Sequence, residues 1–209
     1  MNGAAANVKH TMNRPLSLPA CWQALGWGVV CALVLVLSIP REVGAQAAPP
    51  ATEISRQVKA AYLYKFTSFA EWPSGAFANP TSPVVIGVMG DDTLAGELEQ
   101  VVASRTVNGR PLSVRKLRRG EDLLDGVHML FVGRVDKSRL AEMLATLKGR
   151  PILTVTDADD ALTLGSMINF VVTGERLRFE VALATTEVSR IKISALMLAA
   201  AYRVVKEPS

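Results

Sequence analysis

The stretch Pro83–Ser104, "PVVIGVMGDDTLAGELEQVVAS", decides how the rest of the chain is read. Its opening run is continuously apolar and bounded by Pro83 and Gly90, the pattern of a strand buried on both faces. Asp91 and Asp92 follow, where a helix dipole favours acids, and an amphipathic run continues to Ser104. A buried strand leading straight into a helix is half of a parallel unit, because parallel strands need a crossover to join them.

The same alternation continues toward the C-terminus. "RPLSVRKLRRG" (Arg110–Gly120) predicts a short strand around Leu112, Val114 and Leu117. "VHMLFVG" (Val127–Gly133) reads as a second buried strand, "DKSRLAEMLATLKG" as an amphipathic helix closed by Gly149, and "PILTVTD" (Pro151–Asp157) as a third strand. Together they predict an α/β fold: one compact domain over residues 55–206, mostly parallel sheet, with helices on both faces. The pattern then changes. "MINFVVTGERLRFEVAL" (Met167–Leu183) is two strand-like runs about Thr173 and Gly174, with Leu177, Phe179, Val181 and Leu183 alternating with Arg178 and Glu180. It predicts an antiparallel β-hairpin. After a short helical turn, Ser194 caps a helix that is almost wholly apolar from Ala195 to Ala201, and such a helix is expected to be buried.

Toward the N-terminus, "AAYLYKFTSFAEWPSGAF" holds Tyr62, Tyr64, Phe66, Phe69, Trp72 and Phe77, six of the chain's twelve aromatic residues. Ser55 or Thr52 can cap a helix from about Arg56 to Trp72, stopped by Pro73. Val58, Ala61, Tyr62, Phe66, Phe69 and Trp72 recur at helical spacing and form the expected core stripe. Tyr64 and Phe77 fall off it and are candidates for a dimer or partner patch.

Of the 209 residues, the first 47 read as a signal peptide. Lys9, His10 and Arg14 precede an apolar run from Ala24 to Ile39, short for a membrane span, and Ala45-Gln46-Ala47 supplies a small-x-small cleavage site. An uncleaved anchor is the alternative, and it leaves the domain on the same side of the membrane. Residues 48–54 read as a flexible lead-in. Both cysteines, Cys21 and Cys31, lie in the leader, so the exported domain has no disulfide, thiol nucleophile or thiolate metal site. Without Lys9, Arg14, Arg41 and Glu42 it carries 20 basic and 18 acidic residues, a balance that gives no electrostatic case for nucleic acid.

Candidate chemistry is sparse. Gly87 and Gly90 precede a helix, but a third glycine is missing and Asp91 and Asp92 would repel an anion; a capped tight turn is the competing reading. Asp157, Asp159 and Asp160 could offer oxygen ligands to a divalent cation, but the further ligands and the glycine of a calcium loop are missing, and solvated loop carboxylates are the competing reading. His128, alone in the exported domain, lies in an apolar strand with no nucleophile beside it and reads as a hydrogen-bonded core or edge histidine. Arg110, Arg115, Lys116, Arg118 and Arg119 suit either an acidic partner or a solvated edge strand. No catalytic set, cofactor or metal is expected.

"VKAAYLYKFTSFAEWP", "VVIGVMGDD", "HMLFVG", "ILTVTD" and above all "GSMINFVVTGERLRFEVALATTEVSRIKIS" together resemble the YfiR family of bacterial periplasmic regulators, from Gln57 to Val205. The resemblance implies an exported, dimerising, non-enzymatic protein. It would repress an inner-membrane diguanylate cyclase through that enzyme's periplasmic region and so tune cyclic di-GMP and biofilm formation; related domains serve as sensors of membrane kinases. The membrane is then met only through the partner. Asn169, Phe170, Arg178, Phe179 and Glu180 match the family's hairpin, and Glu187, Ile191, Lys192, Ile193 and Ser194 its entry into the last helix. Glu187, Ile191, Lys192 and Ile193 are the residues placed at a partner surface. The competing reading makes Ile193 core and Glu187 a dipole-compensating acid in a first helical turn. The chain departs from the pattern in lacking the paired cysteines of redox-responsive members and in having Ala184 and Ser166 where a polar residue and a glycine are frequent. Two further function classes are a periplasmic small-ligand module binding near Gly90, Gly133 and Asp157, and a hydrolase with an unrecognised site.

Overall fold

The computed structural model describes residues 51–118, 124–133 and 135–206. The leader, the lead-in before Ala51 and Arg119 lie outside the described residues. In chain order the elements are α1 (Ala51–Phe69), β1 (Ala70–Glu71), a 3-10 turn (Ser74–Ala76), β2 (Val84–Met89), α2 (Asp92–Val102), β3 (Thr106–Val107), β4 (Arg110–Leu117) and β5 (Met129–Val132). There follow α3 (Lys137–Leu147), β6 (Leu153–Thr156), β7 (Ile168–Thr173), β8 (Arg176–Ala182), α4 (Leu183–Val188), β9 (Lys192–Ile193), α5 (Ala195–Ala200) and β10 (Arg203–Val205).

The main sheet runs β10-β8-β7-β6-β5-β2-β4-β3. From β4 through β2, β5 and β6 to β7 all pairings are parallel; the β7–β8 hairpin is antiparallel, and β10 returns parallel to β8. Helices cover both faces, as strands apolar on both sides require. Ile86, Val88, Phe131, Val155 and Phe170 face Leu63 and Phe66 of α1 and Leu94 and Leu98 of α2. Val85, Leu130 and Val132 face Leu140, Leu144 and Leu147 of α3. Asp91 caps α2 by accepting from the Leu94 amide at 3.0 Å, which confirms the capped turn after β2.

Three local expectations are corrected. First, α1 begins at Ala51 and stops at Phe69, not Trp72. The residue before Pro73 is driven out of helical geometry, Ala70 and Glu71 pair instead with Ile193 and Lys192, and the Ser194 amide donates to the Phe69 carbonyl. Second, the buried stripe of α1 is rotated: Ala60, Leu63, Phe66 and Thr67 lie against the sheet, Tyr62 and Phe69 pack at its sides, and Val58 and Ala61 are exposed. Third, the hairpin turn centres on Gly174 and Glu175, both left-handed (φ 52° and 60°), between paired Thr173 and Arg176. A two-residue turn of that hand matches the strands' twist.

Gly90 ends β2 with φ +84°, and a Cβ there would lie 1.9 Å from the Gly133 carbonyl oxygen. Gly90→Ala is expected to cost roughly 2–4 kcal/mol through strain and forced separation of two strand ends. At this chain length that is about 5–15 °C in melting temperature, measurable by calorimetry. An unchanged melting temperature would show that the backbones are not held together there.

Candidate docking surface

Most positions that stand out chemically in the sequence are occupied by structural tasks. Asp157 is ion-paired to Lys59 of α1 at 2.6 Å, and Asp160 to Lys137 at 2.9 Å. Among the described residues no group of three or more His, Cys, Asp and Glu side chains is placed to hold a metal ion. At the strand ends proposed for a small ligand, Gly90 lies against the Gly133 carbonyl and Asp157 is taken up by Lys59.

His128 is buried, accepting from the Val85 amide at Nδ1 and meeting the Ala76 carbonyl at Nε2, each at 3.1 Å. The two aromatics off the core stripe each lie under an arginine, Tyr64 beneath Arg105 at 4.8 Å and Phe77 beneath Arg110 at 3.9 Å. They are covered, not bare patches. The basic run is likewise engaged: Arg115 donates to the Asp125 carbonyl and Lys116 pairs with Glu99, while β3 pairs with β4 only at Arg110 and Pro111, so the described strand from Leu112 to Leu117 is paired on the β2 side alone. Arg118 is exposed.

The residues of the hairpin motif prove mainly architectural. Phe170 and Phe179 are buried with Tyr62 and Phe66 in one aromatic cluster; the Phe66–Phe179 centroids are 4.9 Å apart. Asn169 Oδ1 accepts from the Thr156 hydroxyl at 2.8 Å and the Ala158 amide at 3.3 Å, tying the start of the β6–β7 connection to the sheet. Glu180, expected on the solvent side by alternation, is buried because β10 pairs alongside, where Arg203 Nε donates to its carboxylate at 2.8 Å. That hydrogen bond, with the charge of Glu180, holds the guanidinium above its ordinary range. Ser194 caps α5 by accepting from the Met197 amide. Arg178 alone of this set is exposed.

The four residues placed at a partner surface divide. Glu187 and Lys192 are exposed, Ile193 is half-buried against the core, and Ile191 is 1% exposed. Ile191 therefore belongs to the core: the turn Ser189–Arg190, with Arg190 at φ 56°, points it inward beneath α4. Glu187 sits in the last turn of α4, so the reading as a first-turn dipole partner fails as well.

The largest departure is α5. The helix expected to be buried buries only Met197 and part of Leu198; Ala195, Leu196, Ala199 and Ala200 are exposed. Leu196 is 67% exposed, Tyr202 55% and, at the end of α4, Val188 53%. α4 packs on β9 and β10, with Glu187 and Val188 at its end, while α5 carries Leu196, and Tyr202 follows just beyond it. Beneath α4 lies a cavity of about 680 Å³, floored by Leu144, Leu147, Leu162 and Met167, with Lys148 and Glu187 among its lining.

A family described as YfiR/HmsC-like matches residues 56–202. The chain belongs to this family. No curated protein matches it significantly. The YfiR/HmsC-like family is one of periplasmic regulators associated with cyclic di-GMP signalling, and the YfiR/HmsC-like hairpin is here the scaffold that presents α4 and α5. Sequence reasoning missed Val188, Leu196 and Tyr202 because an apolar residue reads as core. The available signal was length: a helix ending six residues after its cap offers too little surface to be enclosed on every side. Among the described residues no helix is long and apolar enough to cross a membrane.

Proposed function

We propose that this YfiR/HmsC-like protein is exported through its N-terminal segment and acts, as a homodimer, by contact. Its target is the periplasmic region of an inner-membrane diguanylate cyclase or sensor kinase, which it restrains, holding cyclic di-GMP and biofilm formation down. The single observation that carries this reading is the bare apolar side of α5, where Leu196 is exposed with Ala195, Ala199 and Ala200 and Tyr202 follows just beyond. Exposed apolar anchors within a polar rim are how transient interfaces are built.

The test is deletion of the gene with measurement of cellular cyclic di-GMP, alongside capture of the purified periplasmic region of membrane cyclases encoded nearby. The expected result is a rise in cyclic di-GMP and specific capture; unchanged levels and no capture would overturn the proposal. The cavity beneath α4 favours a second reading, a small-ligand module sited there. A metabolite that raises the melting temperature in proportion to its concentration, with cyclic di-GMP unaffected by deletion, would select that reading instead.

A further inference from the structure

Residues 72–82, between β1 and β2, are fastened to the sheet around one side chain. Trp72 Nε1 donates to the His128 carbonyl at 3.0 Å, and the Ala76 carbonyl lies 3.1 Å from His128 Nε2. The Phe77 ring stacks on the imidazole at 4.2 Å and 14°, and the Trp72 ring stands perpendicular to it. The Arg110 guanidinium, 3.9 Å from the same Phe77 centroid, must take its other face; it also donates to the Asn79 and Ser82 carbonyls. On the sheet side His128 Nδ1 receives the Val85 amide at 3.1 Å.

These partners dictate the tautomer. An amide N–H can only donate, so Nδ1 carries a lone pair; a carbonyl can only accept, so Nε2 carries the proton. Both ring nitrogens are thereby used in the neutral form. A proton added at Nδ1 sets two donors against each other and places a cation in a buried stack. The charged groups on the elements around the ring give no compensation. Arg110 of β4 is positive, Glu71 of β1 lies in the strand paired with Lys192, and Asp125 before β5 is engaged with Arg150. Burial first, and then Arg110, hold the His128 pKa below 6.5, against the Ala76 hydrogen bond, which raises it.

We propose that His128 is an acid-released latch: a ring protonated at Nδ1 cannot stay against the Val85 amide, and its departure from beneath Phe77 frees residues 72–82, which adjoin the β1–β9 pair that presents Lys192 and Ile193. The latch stands on this geometry alone; its regulatory meaning rests on the docking surface proposed above. The sign follows from linkage. With residues 72–82 lifted away the His128 imidazole returns toward its ordinary value of 6.5, whereas beneath them it titrates lower. The latch is therefore fully closed above 6.5 and is released progressively as pH falls from 6.5 through the closed-state value.

The experiment is amide hydrogen exchange on the full chain from about pH 7.5 to about pH 4.5, corrected for intrinsic rates, with the His128 ring followed by NMR in parallel. Protection within residues 72–85 is expected to fall by up to about tenfold per pH unit, the limit for one proton, while α2, α3 and β6 keep theirs. In His128→Asn, whose side-chain oxygen can accept from the Val85 amide without titrating, that dependence is expected to vanish. Constant protection while the ring titrates, loss of protection in all elements together, or an unaltered pH dependence in the variant would each overturn the proposal. If the variant does not fold, the contrast between this segment and the core in the wild type still decides, and neither readout depends on a docking partner.

Discussion

Phe66→Ala is expected to lower the unfolding free energy by about 3–5 kcal/mol. Phe66 is 1% exposed at the centre of α1's inner face. Its ring centroid lies 4.9 Å from that of Phe179, 5.7 Å from Tyr62 and 5.8 Å from Phe170, so one side chain joins α1 to both strands of the hairpin. Truncation removes the transfer free energy of the ring and leaves a cavity that three rigid rings fill poorly. A melting temperature lower by roughly 6–20 °C should follow. Val172→Ala, at a position exposed on the same hairpin, is expected to stay within about 0.5 kcal/mol. Equal losses in the two variants would show that the aromatic cluster does not anchor the helix.

The second large effect concerns binding. Leu196→Glu places a charge in the middle of the bare face of α5 without touching Met197, which holds that helix to the core. Stability is expected to change by no more than about 0.5 kcal/mol. Affinity for the periplasmic region of the partner should fall by at least about 2 kcal/mol, roughly 30-fold in Kd, because a buried anchor becomes a charge that must be desolvated. In cells the variant should raise cyclic di-GMP as deletion does while accumulating normally. Gln100→Ala, exposed on α2, serves as the control and should bind as the wild type does. Titration by calorimetry gives the affinities; equal affinities for the three proteins would place the interface elsewhere.

Both variants depend on contrasts that the sequence displays only in part. Phe66 stands at helical spacing from other aromatics, so its burial was readable, yet the stripe drawn through Val58 and Ala61 was turned away from the true one through Ala60 and Leu63. Large rings attract the eye in a sequence, whereas close approach of a helix to a sheet selects the small and aliphatic residues that permit it. The strands β1, β3, β9 and β10 were not separable from their surroundings, since a two- or three-residue pairing has no period. β10 in turn decided Glu180: alternation put it in water, and a strand arriving from 23 residues later put it next to Arg203.

By itself the sequence determined the α/β class, the succession of buried strands and crossover helices, the hairpin, and the caps at Asp91 and Ser194. Each follows from local periods and side-chain chemistry, which are properties of neighbours along the chain. Only the tertiary structure decided that Ile191 is core, that Gly90 abuts the Gly133 carbonyl, and that Leu196, Tyr202 and Val188 are bare. Exposure is a property of what else arrives at a place. An apolar helix is buried only if the fold brings something to both its sides, and α5 has the core on one side alone.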